Sequence, residues 1–277
     1  RRALAVDPSA IEAWATLGAV AWLAGDSASW DRARAEARRL STNPASFYVT
    51  LADAAARQRR YAAAESFSAQ ALALDSLSVP ALGALGTNKL RAGEMAAGRA
   101  QIEHAFAIDP FNLWHKNTLD LLDVLDGFRT VDQGRFKFVA PAKEAAVLLP
   151  YLAPLLEEAY ADMAARYDYR PAAPIRFEIY DRHADFSVRT VGLTGLGALG
   201  VSFGRLLAID APSARPPGSF NWGSTSWHEL AHTFTLGLSG NRVPRWFSEG
   251  VSVFEERRAR PGWGAQPTPE YVEALKA

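Results

Sequence analysis

The chain has 277 residues, 49% of them hydrophobic, which is enough apolar material and length for two domains with their own cores. Thirty basic residues balance thirty acidic ones, so the electrostatic footprint of a nucleic-acid or anionic-membrane binder is missing. There is no cysteine, which excludes disulfides, thiolate metal sites and a cysteine nucleophile and leaves His, Asp and Glu as metal ligands.

The first half repeats itself. ALAVDP (3–8), ALALDS (71–76) and AFAIDP (105–110) recur, with Asp75 and Asp109 34 positions apart and Asp7 and Asp75 twice that. Asn43-Pro44 falls between them, displaced by two residues as a small insertion would require. Trp14-x-x-Leu17-Gly18 and Leu82-x-x-Leu85-Gly86 occupy matching places, and the small residues Ala64 and Ala71 stand where paired helices must approach closely. This pattern is similar to the tetratricopeptide repeat, whose 34-residue unit is a helix hairpin. The resemblance implies an α+α solenoid with a groove that recruits a protein partner. An unrelated Ala-rich bundle is the alternative. FNLWHKNTLDLLDVLDGF (111–128) keeps helical spacing but loses the small-residue signature, as a capping helix would, so the boundary is set near Gly127. The chain opens on what reads as the end of a repeat helix, so any signal segment is out of view and the compartment is open.

Beyond the boundary, RFKFVA (135–140) and IRFEIY (175–180) alternate like strands and flank an amphipathic stretch from Ala142 to Tyr167. A short helix is expected at Asp185–Thr190, then a Gly-rich loop and strands within GALGVSFG (197–204) and RLLAID (205–210). The surrounding run VGLTGLGALGVSFG is too short and too flexible for a membrane span. The Pro-rich APSARPPGSFNWG (211–223) leads to a Ser/Thr cluster that is expected to cap the next helix. The order is that of an α+β domain.

HELAH (228–232) carries the chemistry. On a helix His228 and His232 share a face and can present two imidazoles to one ion, with Glu229 beside the open position, while Trp227, Leu230, Ala231, Phe234 and Leu238 supply a buried face. H-E-x-x-H is a known zinc metalloprotease signature. Ser226-x-x-Glu229 also fits a capping box, which would give Glu229 a structural role instead. Catalytic zinc takes three protein ligands plus water, so a third ligand is expected from a second helix. Pro244 suits the first position of that helix, in which Phe247, Val251 and Phe254 form a core stripe and Glu249, Ser252 and Glu256 another face. Gly250 wants a close packing partner, such as the zinc helix. Two helices joined through LSGNRV (238–243) would run antiparallel and let Glu249 complete a His2Glu site.

HELAH, with 16 residues between His232 and the Glu249 of PRWFSEGVSVFEE, resembles the gluzincin metallopeptidases, in particular the peptidase MA-like group with its Trp-x-x-Glu-Gly helix. The resemblance implies His228, His232 and Glu249 as zinc ligands, Glu229 as general base and Zn2+ as cofactor. Glu256 matches an acidic position and is expected to support the ligands, a solvated charge being its alternative. No Gly-x-Met-Glu-Asn segment surrounds Met95 or Met163, which argues against an aminopeptidase, and Phe254 stands where a tyrosine is common. The Gly-rich strand is expected to pair with an extended peptide along the cleft. The expected organisation is a repeat array over 1–126 and a gluzincin-like α+β domain over 127–277, working as a zinc peptidase on peptide or protein substrates. The rival is a degenerate, non-catalytic scaffold that acts through repeat-mediated binding, and a zinc hydrolase of non-peptide bonds is a third reading. The additional oxyanion donor is expected beyond residue 277, Tyr271 being the only tyrosine after Glu249, so this chain by itself is expected to be inactive or weakly active.

Overall fold

The computed structural model describes residues 2–265 and residue 273. The chain divides into two compact units, residues 1–127 with Ser187–Thr194, and residues 128–186 with 195–277. Among the described residues no helix is long and apolar enough to cross a membrane.

The first unit is a run of helices that pack on their neighbours in sequence: α1 (Arg2–Val6), α2 (Ile11–Ala24), α3 (Ser27–Leu40), α4 (Ala45–Arg57), α5 (Tyr61–Leu74), α6 (Val79–Ala92), α7 (Met95–Ile108) and α8 (Leu113–Asp126). Within the α2/α3 and α6/α7 hairpins a left-handed glycine, Gly25 (φ 73°) or Gly93 (φ 87°), stops the first helix and turns the chain. Close packing depends on missing side chains. A Cβ on Gly98 of α7 would lie 2.9 Å from the Gly86 carbonyl oxygen of α6, and a Cβ on Gly86 would lie 3.0 Å from that of Gly98, so these two backbones nearly touch. Ala64 and Ala71 are fully buried, and Phe47 and Leu51 fill the wider gaps.

The recurring aspartates have a local task. The Oδ1 atoms of Asp7, Asp75 and Asp109 each accept the backbone N–H two residues on, from Ser9 (2.8 Å), Leu77 (3.1 Å) and Phe111 (3.2 Å). Ser41 makes the same turn, its Oγ accepting the Asn43 N–H at 3.1 Å. The second mark of the repeat is therefore Ser41, in unbroken 34-residue register, and the two-residue insertion inferred from Asn43-Pro44 is not needed.

The second unit begins with a hairpin of β1 (Arg129–Gln133) and β2 (Phe136–Ala140), followed by α9 (Ala142–Tyr167), β3 (Ile175–Tyr180), α10 (His183–Val191), β4 (Gly200–Ser202), β5 (Leu206–Asp210), a 3-10 turn at Pro212–Ala214, α11 (Trp222–Leu238) and α12 (Arg245–Ala259). The residues of α10 from Ser187 onward belong with the helical hairpins. The sheet order is β1-β2-β3-β5-β4. Strands β2, β3 and β5 run parallel, while β1 and β4 run antiparallel at the two edges, β4 in the register Gly200 opposite Ile209. Strand β1 has no sequence expectation, because RTVDQ is exposed at every position except the half-buried Val131 and so shows no apolar alternation. The sheet core of Phe138, Phe177 and Ile209 packs on Leu152, Leu156 and Met163 of α9 and on Trp227, Leu230 and Phe234 of α11.

Helix α12 differs from expectation in which way it faces. Phe247 and Phe254 are exposed at 49% and 55%, and Leu238 of α11 at 50%, whereas Ser248, Ser252, Glu255 and Glu256 are buried. Gly250 faces open space, with no neighbour that requires a glycine. The reason is that the side of α12 turned inward meets charged and polar partners. Glu255, fully buried, is bound by the Arg166 guanidinium and the Tyr167 hydroxyl at the end of α9. Burial, reinforced by the hydrogen bond to Glu255, pushes the Tyr167 phenol up to about 12.

The glycines make a paired prediction. Gly98→Ala should destabilise the chain by about 1–3 kcal/mol, since overpacking against a backbone oxygen outweighs the gain in helix propensity. Gly250→Ala, with open space around it, should stabilise by up to about 1 kcal/mol. Urea denaturation of both variants checks this, and equal shifts would contradict the close α6–α7 approach.

Candidate metal centre

Two helices and the turn between them build the site. Asn221 caps α11, its Oδ1 accepting the Ser224 N–H at 3.1 Å, so the cap is neither Ser226 nor the Ser/Thr cluster. The Ser226 hydroxyl instead donates to the Trp222 carbonyl at 2.7 Å, which removes the capping-box reading of Glu229. Trp227, Leu230, Ala231 and Phe234 anchor α11 in the core, and the same helical period turns His228 and His232 toward α12. Gly240 (φ 56°) and Asn241 (φ 59°) reverse the chain between the helices in left-handed conformations suited to those residue types.

Glu249 Oε2 lies 3.3 Å from His228 Nε2 and 3.3 Å from His232 Nε2, and one ligand atom from each of the three residues falls within 4.8 Å of the others. The two imidazole rings are 4.9 Å apart and nearly perpendicular. Their other nitrogens are held from behind. His228 Nδ1–H donates to Glu256 Oε1 at 2.6 Å, and Glu256 also accepts from the Ser224 hydroxyl. His232 Nδ1 lies 2.7 Å from Ser248 Oγ and 3.3 Å from Ser252 Oγ, and Ser248 is fixed in turn by Thr235 Oγ1 at 2.9 Å. With Nδ1 engaged outward, both Nε2 atoms and the Glu249 carboxylate converge on one point, the donor set that a tetrahedral divalent metal takes from protein. Zinc fits it.

The electrostatics agree with a site prepared for a cation. Burial opposes charge on His228, but its hydrogen bonds to Glu249 and Glu256, with Glu229 nearby, outweigh that and raise its pKa to about 10. Glu249 is held far below the usual carboxylate range by hydrogen bonds to His228 and then His232. In the metal-free protein a proton therefore occupies the place of the positive charge.

Glu229 is 6% exposed and abuts the sheet edge. A Cβ on Gly200 would sit 2.7 Å from both Cγ and Oε1 of Glu229, so only glycine lets strand β4 pass this close. The structure thus brings together His228, His232, Glu249 and Glu256, and sets Glu229 against the edge strand drawn from GALGVSFG. Tyr271 lies outside the described residues. Ser248, Ser224 and Glu255 went unrecognised in the sequence. The legible signal was the polar i, i+4, i+7, i+8 series Ser248, Ser252, Glu255 and Glu256, overshadowed by the aromatic series beside it.

Because metal must displace the His228 proton, zinc binding near neutral pH should release about one proton, and affinity should fall as pH falls. Calorimetric titration in two buffers of different ionisation enthalpy measures this, and a buffer-independent heat would contradict it. Glu256→Gln should weaken zinc binding by about 10- to 100-fold through looser orientation of His228.

The chain matches no protein-family model, and no curated protein matches it significantly.

Proposed function

We propose that the chain is a zinc-dependent metallopeptidase of the gluzincin, peptidase MA-like kind, carried on tetratricopeptide-type repeats. The observation that carries the reading is the convergence of His228 Nε2, His232 Nε2 and Glu249 Oε2 within 4.8 Å, with Glu229 between the histidines in sequence and against an open sheet edge in space.

His228, His232 and Glu249 would hold the zinc ion, which would supply a Lewis acid for the scissile carbonyl and make an attacking water acidic enough to lose its proton near neutral pH. Glu229 takes that proton and delivers it to the leaving amine. Among the described residues strand β4 is the last of the sheet order, so an extended substrate can add to it through backbone hydrogen bonds, which register the scissile bond over Glu229. Glu256 and Ser248 keep the histidines in the tautomer that ligates through Nε2. The repeats supply the surface for a protein partner.

Purified protein should retain about one zinc per chain by elemental analysis. Glu249→Ala should lose metal, whereas Glu229→Gln should keep it and lower cleavage of a broad peptide library by about 100- to 10,000-fold. Undiminished cleavage by Glu229→Gln would remove Glu229 as base, and a protein that cannot be loaded with zinc would remove the whole reading.

A further inference from the structure

The helical unit holds a second built site, far simpler in chemistry and unrelated to the metal ligands. A cavity of about 550 Å3 lies among α4, α6, α8 and the segment Val188–Gly192, all within the unit that contains the hairpins. That segment crosses the groove as a strap. Arg189 donates to the Leu90 carbonyl at 2.9 Å, Asn117 Nδ2 donates to the Gly192 carbonyl at 3.1 Å, and Gly192 (φ 75°) sits so tightly on Trp114 that a Cβ there would lie 2.3 Å from the indole. The segment forms one wall of a partly open pocket, with Asp53 and Arg57 exposed at its mouth.

Two buried polar atoms in its wall lack hydrogen-bond partners, Asn88 Oδ1 and His115 Nδ1, in residues 2% and 8% exposed. A buried polar atom left unanswered is costly, so the cavity wall is suited to a ligand that hydrogen-bonds to it. Gly83 has no side chain because a Cβ there would meet His115 Nε2 at 2.4 Å, so α6 gives up bulk to seat this imidazole. Burial lowers the pKa of His115. The charged lining is Arg57, Arg91 and Arg189 against the single carboxylate of Asp53. That surplus favours an anion, while Asp53 disfavours a phosphate of charge near −2 and offers, with Asn88 Oδ1, acceptors for an N–H donor.

We propose that this cavity binds a free amino acid, its carboxylate on the arginine side and its ammonium toward Asp53 and Asn88. The volume is in the range of small-ligand pockets, and arginines with a carboxylate and an amide oxygen in one wall suit the two oppositely charged groups of a free amino acid. The site is independent of the metal reading, since binding is its readout.

The full chain should be screened by thermal shift with the individual amino acids, acetate, inorganic phosphate and an extended acidic nonapeptide, followed by calorimetry of the best responder. At least one amino acid should give a saturable shift and calorimetric binding, with acetate, phosphate and the nonapeptide far weaker. Arg57→Gln, at an exposed position, and Asn88→Leu, which removes the acceptor, should each weaken it at least about tenfold. Absence of saturable binding by every amino acid at millimolar concentration overturns the proposal. So does tighter binding of phosphate or the nonapeptide, or affinity unchanged in both variants with circular dichroism unaltered.

Discussion

The hydrogen bond from His228 Nδ1 to Glu256 is where fold and candidate site meet. It can form only if α12 turns its carboxylates inward, and Glu256 is one of four polar residues, with Ser248, Ser252 and Glu255, that make up the buried side of that helix. Helices normally pack by apolar stripes, and α12 has one available in Phe247, Val251 and Phe254. Its aromatic members face outward instead. Rotating the helix to bury them would leave the Arg166 guanidinium without its buried Glu255 partner and leave His228 Nδ1 and His232 Nδ1 unanswered, each a costly orphan in a low-dielectric interior.

The same rotation places the ligand. Glu249 lies one residue beyond Ser248, so a helix that hands Ser248 to His232 necessarily brings the Glu249 carboxylate to both Nε2 atoms. The polar contacts therefore position the site rather than merely fill space. Gly200 works from the other side, admitting the edge strand to within contact of Glu229. The three residues that could hold a metal ion, Glu229 and strand β4 are thus brought together by α11, which contacts both α12 and β4.

The helical unit shows a different economy. Its regularity comes from one turn repeated four times, an acceptor side chain at Asp7, Ser41, Asp75 and Asp109 taking the N–H two residues on. A close backbone approach between α6 and α7 comes from paired glycines. Against that regularity, the segment Val188–Gly192 is a local exception that lines one cavity together with α4, α6 and α8.

Much was legible from residue order alone. The 34-residue rhythm, the helices of the first unit, α9 with β2 and β3, and the HELAH pair followed by Glu249 all rest on short-range periodicity, which a sequence displays directly. Strand β1 was hidden because its pairing with β2, not its own apolar pattern, makes it a strand. Ser41 was hidden because a hydroxyl replaces a carboxylate in the same turn. The facing of α12 could not be read, since a helix bearing both an aromatic and a polar stripe has two self-consistent orientations, and only the distant Arg166, Tyr167 and His228 decide between them. Sequence determined which groups were available for the site. Tertiary structure decided which of them face one another, because burial energies of polar groups depend on partners that lie as far as 89 positions away along the chain.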